Sequence, residues 1–173
     1  MKKLCLIRIV AVLFSLSIIS TLVSQMPVLA QNFEINLIHK QFIWKPFSAA
    51  ILSQNDTNLK IVVVTNSTEK LWNRAYLPIQ LNYTNGSLVL FNLEYATLSS
   101  YGNATFLSEV RENVTGTVLW SIRLNNTNGQ WSTGTYTLPS TTLDRPVEFR
   151  LYIITNETGL HSLDVKKATL TIK

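Results

Sequence analysis

The stretch Val147-Glu148-Phe149-Arg150-Leu151-Tyr152-Ile153-Ile154-Thr155 decides how this chain is read. Val147, Phe149, Leu151 and Ile153 alternate with Glu148, Arg150 and Tyr152, which is the period of a strand with one face on a core. The same alternation recurs in Val118, Trp120, Ile122 and Leu124, and again in Ala168, Leu170 and Ile172, and these sets are the expected inward faces. Elsewhere beyond residue 30, short apolar runs are separated by Asn, Gly, Thr and Ser, and no segment carries a 3.6-residue apolar period. The chain is expected to be all-β. Strands are expected at Phe47–Leu52, Leu59–Thr65, Ala75–Leu81, Ser87–Thr97, Ala104–Arg111, Gly116–Leu124, Gly134–Leu138, Val147–Thr155 and His161–Ile172, the last with a break near Lys166-Lys167. Asn85-Gly86 and the run from Asn125 to Gly129 read as hairpin turns joining antiparallel neighbours, since Asn and Gly accept positive φ. Residues 31–46, with Phe33, Ile35, Leu37, Phe42 and Trp44, are either a first edge strand or a linker that ends at Pro46.

The first thirty residues read differently. Met1-Lys2-Lys3 is a basic start, Ile9 to Val23 is apolar apart from Ser and Thr, and Val28-Leu29-Ala30 offers a cleavage site before Gln31. This is the pattern of a secretory signal peptide, the alternative being an uncleaved membrane anchor. Removing it takes the only cysteine, Cys5, and three of the fifteen cations, Lys2, Lys3 and Arg8, leaving twelve cations against ten acids. The remaining 143 residues are long enough to bury a core without disulfides, as a single domain over 47–173. Near-neutral charge with no basic run longer than Lys166-Lys167 argues against nucleic acid as a partner. The expected location is secreted or on the outer face of the cell envelope.

Eight positions satisfy the glycosylation sequon: Asn55, Asn66, Asn82, Asn85, Asn103, Asn113, Asn125 and Asn156. The composition beyond the leader would give about three by chance. Either the chain carries glycans, or its turns and strands are simply built from Asn and Thr. Asn66, Asn85, Asn125 and Asn156 lie in expected turns and are the preferred sites.

Nine short strands at regular spacing suit a two-sheet antiparallel β-sandwich, with jelly-roll or Ig-like connectivity both open. The succession Asn92-Leu-Glu-Tyr-Ala-Thr97, Ala104-Thr-Phe-Leu-Ser-Glu-Val110, Val118-Leu-Trp-Ser-Ile122, Trp131 before Thr135-Tyr-Thr-Leu-Pro139, Val147-Glu-Phe-Arg-Leu-Tyr152 and Ala168-Thr-Leu-Thr-Ile172 resembles the strand order of jelly-roll carbohydrate-binding modules and their galactose-binding-like and MAM relatives. The resemblance covers residues 47 to 173 and implies a jelly roll that recognises sugar. Many such modules place an Asp pair at the start of the last strand, near a structural calcium. Here that stretch reads Asp164-Val165-Lys166-Lys167-Ala168, with one acid and two cations, which speaks against a calcium there.

Two histidines, His39 and His161, and no cysteine beyond Cys5 cannot assemble the usual zinc or blue-copper ligand sets. No nucleophile elbow, Walker sequence or dinucleotide fingerprint occurs, so no metal or cofactor is implied. His161, Ser162 and Asp164 include triad residue types, but neighbouring strand residues point to opposite faces; His161 is expected at a strand edge. The enzymatic alternative is a glycoside hydrolase using two strand carboxylates from Glu94, Glu109 and Glu148, with Glu94 and Glu109 the pair to test. The competing expectation is that these acids sit on outer faces paired with Arg111, Arg123 or Arg150.

The favoured function is non-catalytic carbohydrate recognition by an exposed aromatic ring, with the alternative of a structural or adhesion component that contacts other envelope proteins. Trp120 alternates with core residues and is assigned to the interior. Trp72, expected between strands, and Trp131, after Asn128-Gly129-Gln130, are the ligand candidates, with Arg74 and Tyr76 completing a patch around Trp72. Grouped aromatics around Trp72 would favour sugar binding, and a flat Thr/Asn-rich face without them would favour the envelope reading.

Overall fold

The computed structural model describes residues 33–66, 68–81, 88–139, 141–142 and 144–173; the leader, Asn82 and Asn85 lie outside them. Among the described residues eleven strands run in chain order: β1 (Phe33–Asn36), β2 (Lys45–Phe47), β3 (Ile51–Asn55), β4 (Asn58–Thr65), β5 (Leu71–Ile79), β6 (Val89–Ser99), β7 (Ala104–Glu112), β8 (Val118–Leu124), β9 (Ser132–Leu138), β10 (Val147–Thr155) and β11 (Gly159–Ile172). They form two antiparallel sheets. The first, sheet A, has the order β3-β4-β11-β6-β9, with β1 paired to the far half of β11; the second, sheet B, has the order β2-β5-β10-β7-β8. The two pack as a jelly-roll sandwich.

The inward sets of the alternating strands meet between the sheets. Val147, Phe149, Leu151 and Ile153 of β10 are buried, as are Ala168, Leu170 and Ile172 of β11, Phe91 and Leu93 of β6, and Leu59, Ile61 and Val63 of β4. Phe91 and Phe149 touch across the two sheets with ring centroids 5.5 Å apart. Trp120 closes one side of this core, edge-on to Phe91 at 5.9 Å and beside Tyr136 at 5.5 Å. Residues Phe33 to Trp44 are part of the same body: β1 pairs with β11, Leu37 and Ile38 are fully buried, and the Trp44 indole N–H donates to the Leu37 carbonyl at 2.9 Å. Pro46 stands in β2, an outermost strand, where its missing N–H costs no ladder bond.

Several expectations are corrected. The single strand expected at Phe47–Leu52 is two strands in different sheets, and the chain crosses between them at Ser48, whose φ is 64°. The run from Asn125 to Gly129 does have left-handed residues, Asn128 and Gly129, yet it joins β8 of sheet B to β9 of sheet A and is no hairpin. The strands flanking Asn85-Gly86, β5 and β6, likewise belong to different sheets. Turn chemistry marks where a chain reverses, but not which sheet it enters next. Val118 is 45% exposed because a bulge between Val110 and Arg111 in the pairing of β7 with β8 sets it opposite Arg111, out of phase with Trp120. His161 is not at an edge. It is fully buried in β11, a central strand, with Nδ1 2.8 Å from the Ser99 hydroxyl and Nε2 3.3 Å from that of Thr155.

Candidate functional site

β5 begins at Leu71, four residues earlier than expected, and this places Trp72, Arg74 and Tyr76 inside the strand. Spaced by two, they project from one face, while Asn73, Ala75 and Leu77 turn into the core. The register of sheet B extends that outer face across neighbouring strands. One row runs Phe47, Arg74, Tyr152, Leu107, Arg123, and the next runs Lys45, Tyr76, Arg150, Glu109, Ser121. Trp72, Ile154 and Thr105 lie on one side of these rows, and Pro78, Glu148 and Arg111 on the other.

The face is an aromatic array threaded with arginine. Trp72 is 45% exposed and meets the buried Tyr152 ring edge-on at 5.9 Å; Phe47 is 48% exposed. The Arg74 guanidinium carbon lies 3.9 Å from the Phe47 ring centre and 5.9 Å from those of Tyr76 and Tyr152, and Lys70 Nζ lies 5.1 Å from the Trp72 ring. Arg74 makes no ion pair among the described residues, and its buried Nε has no hydrogen-bond partner.

The two carboxylates of this face are otherwise engaged. Glu109 accepts from Arg111 Nε at 2.8 Å, and Glu148 accepts from Arg150 Nε at 2.6 Å and from its Nη2 as well. Because Glu148 stands opposite Arg111 and Arg150 opposite Glu109, the four charges alternate across β7 and β10. Burial opposes the Arg150 charge, but hydrogen bonds to the Tyr152 hydroxyl (3.1 Å) and to Glu148 outweigh it and raise its pKa above the usual guanidinium range.

The other candidates separate from this patch. Trp131, 49% exposed, precedes β9, and its ring lies 5.6 Å from Lys166 Nζ on the outer face of sheet A, the opposite side of the sandwich. The pair Glu94 and Glu109 is overturned on the same ground. Glu94 is on β6 in sheet A, 3.3 Å from Lys166, whereas Glu109 is on β7 in sheet B, so the two cannot flank one glycosidic bond. Ser162 and Asp164 face outward on β11 while His161 faces inward, and Asp164 pairs with Lys60 at 3.5 Å. The described sequon residues Asn55, Asn66, Asn103, Asn113, Asn125 and Asn156 are all exposed. Phe47, Lys45 and Tyr152 were not singled out in the sequence, and Arg123 and Arg150 were named only as partners of the strand acids; for Arg150 and Tyr152 the signal was available, as the phase opposite the core set.

No protein-family model matches this chain, and no curated protein does. Solved structures do. A xylan-binding module, CBM15, superposes with TM-score 0.57 at 10% identity over 82% of this chain and 97% of that module. A point mutant of a family 29 carbohydrate-binding module gives TM-score 0.50 at 10% identity over 82% and 92%. An agarase gives 0.53 at 12% identity over 79% of this chain, which spans only 24% of the enzyme's length. At such identities the likeness speaks to fold alone: this chain has the jelly-roll β-sandwich found in carbohydrate-binding modules.

Proposed function

We propose that this protein is an exported, non-catalytic carbohydrate-binding module whose ligand lies on the outer face of sheet B. One observation carries the reading: Phe47, Trp72 and Tyr76 share a solvent-facing sheet surface with arginines set between and beside them. An aromatic ring offers an apolar plate to the C–H face of a pyranose, and guanidinium N–H groups donate to ring hydroxyls. Kinship of fold with carbohydrate-binding modules supports the reading. The test is native affinity electrophoresis against a panel of soluble polysaccharides. Trp72→Ala is expected to weaken retardation about tenfold, the loss of one stacked ring, while Trp131→Ala migrates as the parent. Equal retardation of the parent and Trp72→Ala in every gel that slows the parent would remove the assignment.

A second reading is favoured by the outer face of sheet A, where Asn92 donates to Thr171 at 3.1 Å and accepts from Thr135 at 2.9 Å amid Thr133, Thr137 and Thr169. Such a hydroxyl and amide surface suits contact with other envelope proteins. Concentration-dependent self-association in sedimentation velocity, abolished by Thr135→Arg, would move the weight to it.

A further inference from the structure

The ionic pairing of the two outer faces differs. On sheet A, Lys60 pairs with Asp164 (3.5 Å), Lys166 with Glu94 (3.3 Å) and Lys167 with Glu34 (3.7 Å), so each strand cation there has a carboxylate. On sheet B, Arg111 and Arg150 have Glu109 and Glu148, but Lys45, Arg74 and Arg123 have no carboxylate among the described residues, and Lys70 rests on Trp72. Among the described residues Arg123 reaches only the Thr105 hydroxyl, at 3.5 Å. The cation excess of the described chain is thus concentrated on the aromatic face.

Its arrangement is directional. Arg74 and Arg123 lie in one cross-strand row, three strands apart, or about 14 Å at ordinary strand spacing. Arg74 spends its flat face on Phe47, while its Nε is buried without an acceptor. A guanidinium stacked on a ring keeps its edge donors in a fixed fork, which matches a carboxylate or a sulfate better than a lone hydroxyl. An uncharged sugar needs plates and hydroxyl partners, and would leave this charge uncompensated.

Building on the carbohydrate reading of the same face, we infer that the ligand is an anionic polysaccharide whose ring carboxylates or sulfates engage Arg74 and Arg123 while Trp72 and Tyr76 stack on its sugars. A neutral glycan of the same backbone binds more weakly, and binding falls as salt screens the exposed cations.

The experiment uses the full chain in affinity electrophoresis and equilibrium titration at low and at moderate NaCl. The probes are polygalacturonate, its fully methyl-esterified form, dextran sulfate, dextran, xylan and a single-stranded oligothymidylate. Polygalacturonate is expected to bind about tenfold or more tightly than its ester, or dextran sulfate than dextran, and whichever arm responds identifies the anionic group. Arg74→Gln should lose that preference and Lys60→Gln on sheet A should keep it. Since Arg74 is partly buried, the exposed changes Lys45→Gln and Arg123→Gln, which cannot disturb the core, should each reduce binding and flatten its salt dependence. Xylan or the ester binding as tightly as polygalacturonate, with Arg74→Gln without effect, overturns the anionic preference and leaves the carbohydrate reading standing. No binding to any polysaccharide overturns both. Binding to the oligothymidylate alone overturns the glycan as the occupant and makes this a face for single-stranded nucleic acid.

Discussion

At Glu148 the side chain is almost completely withdrawn from water and held by Arg150, whose own guanidinium is only slightly exposed. Removing one member leaves the other charge buried without its counterion, and that penalty exceeds what the intact pair adds. Glu148→Ala is therefore expected to cost about 3 kcal/mol in urea unfolding, with Arg150 losing its hold on Tyr152 and Tyr152 its support beneath Trp72. The double change Glu148→Leu with Arg150→Met should recover much of that loss, because two apolar side chains need no partner. If Glu148→Ala unfolds at the parent's urea midpoint, the alternating charges on β7 and β10 contribute little to stability. Arg74 differs in kind: among the described residues it is steadied by rings and not by a carboxylate, which suits the ligand role proposed for it better than a structural one.

At the scale of the element, β11 shows how one extra residue keeps a long strand in phase. Val165 pairs with Tyr95 and Lys167 with Glu94, so Lys166 is the inserted residue of a bulge. His161, Leu163 and Val165 face the core before it, and Ala168, Leu170 and Ile172 after it. Deleting Lys166 leaves a continuous period of two with both inward sets still inward. That deletion should cost only about 1 kcal/mol, the order of the exposed Lys166 to Glu94 pair, and leave the far-ultraviolet circular dichroism unchanged. Deleting Thr169 instead turns Leu170 and Ile172 to the wrong face and should abolish cooperative unfolding. A Thr169 deletion that folds normally would mean that the pairing with β1 and β6 does not set the phase of this strand.

At the scale of the whole molecule, connectivity gathers features that are far apart in the chain. Asn66 follows β4, Asn103 precedes β7, Asn125 follows β8 and Asn156 follows β10, and the pairing of Thr65 with Gly159, of Ser99 with His161 and of Thr155 with Ala104 brings these loops to one end of the sandwich. Asn113 sits at the other end, where its N–H donates to the Pro146 carbonyl at 3.0 Å. In protein from a glycosylating host, peptide mapping after enzymatic deglycosylation should find occupancy at that end, with the rows of sheet B from Lys45 to Ser121 left clear. Occupied sites that block polysaccharide binding until glycans are removed would contradict this placement. Asn103 and Asn156 border the shallow pocket formed with Lys70 and Thr105 beside Trp72, so glycans added at these two positions would lie next to that ring.

Much of the fold was legible in residues 147–155 and 168–172, because a strand with one buried face must alternate and a chain without 3.6-residue periodicity has only sheets to build. The assignment of Trp120 to the interior followed from the same phase. The crossing from β8 to β9 could not be read this way, since Asn128-Gly129 marks a reversal and not whether the next strand pairs beside the last or packs across from it, and the crossing from β2 to β3 carries no Asn or Gly at all, only Ser48-Ala49-Ala50. The bulge of β8 escaped for a similar reason, since its inserted residue exists only relative to β7 and decided where Val118 points, whereas the bulge of β11 falls at the break expected near Lys166-Lys167.

Local sequence thus determined most of the strands and the inward sets of β10 and β11, which depend on periods of two along one chain. What only the tertiary structure decided is which outward sets share a face. It carried Glu94 and Glu109 to opposite sides, took Trp131 away from Trp72, and collected Lys45, Lys70, Arg74 and Arg123 into a cationic surface from a chain with no basic run longer than two residues. The reason is physical: charge and stacking act through space over a few ångströms, and the neighbours they act on are chosen by strand pairing between residues as much as 139 positions apart, as Phe33 and Ile172 are.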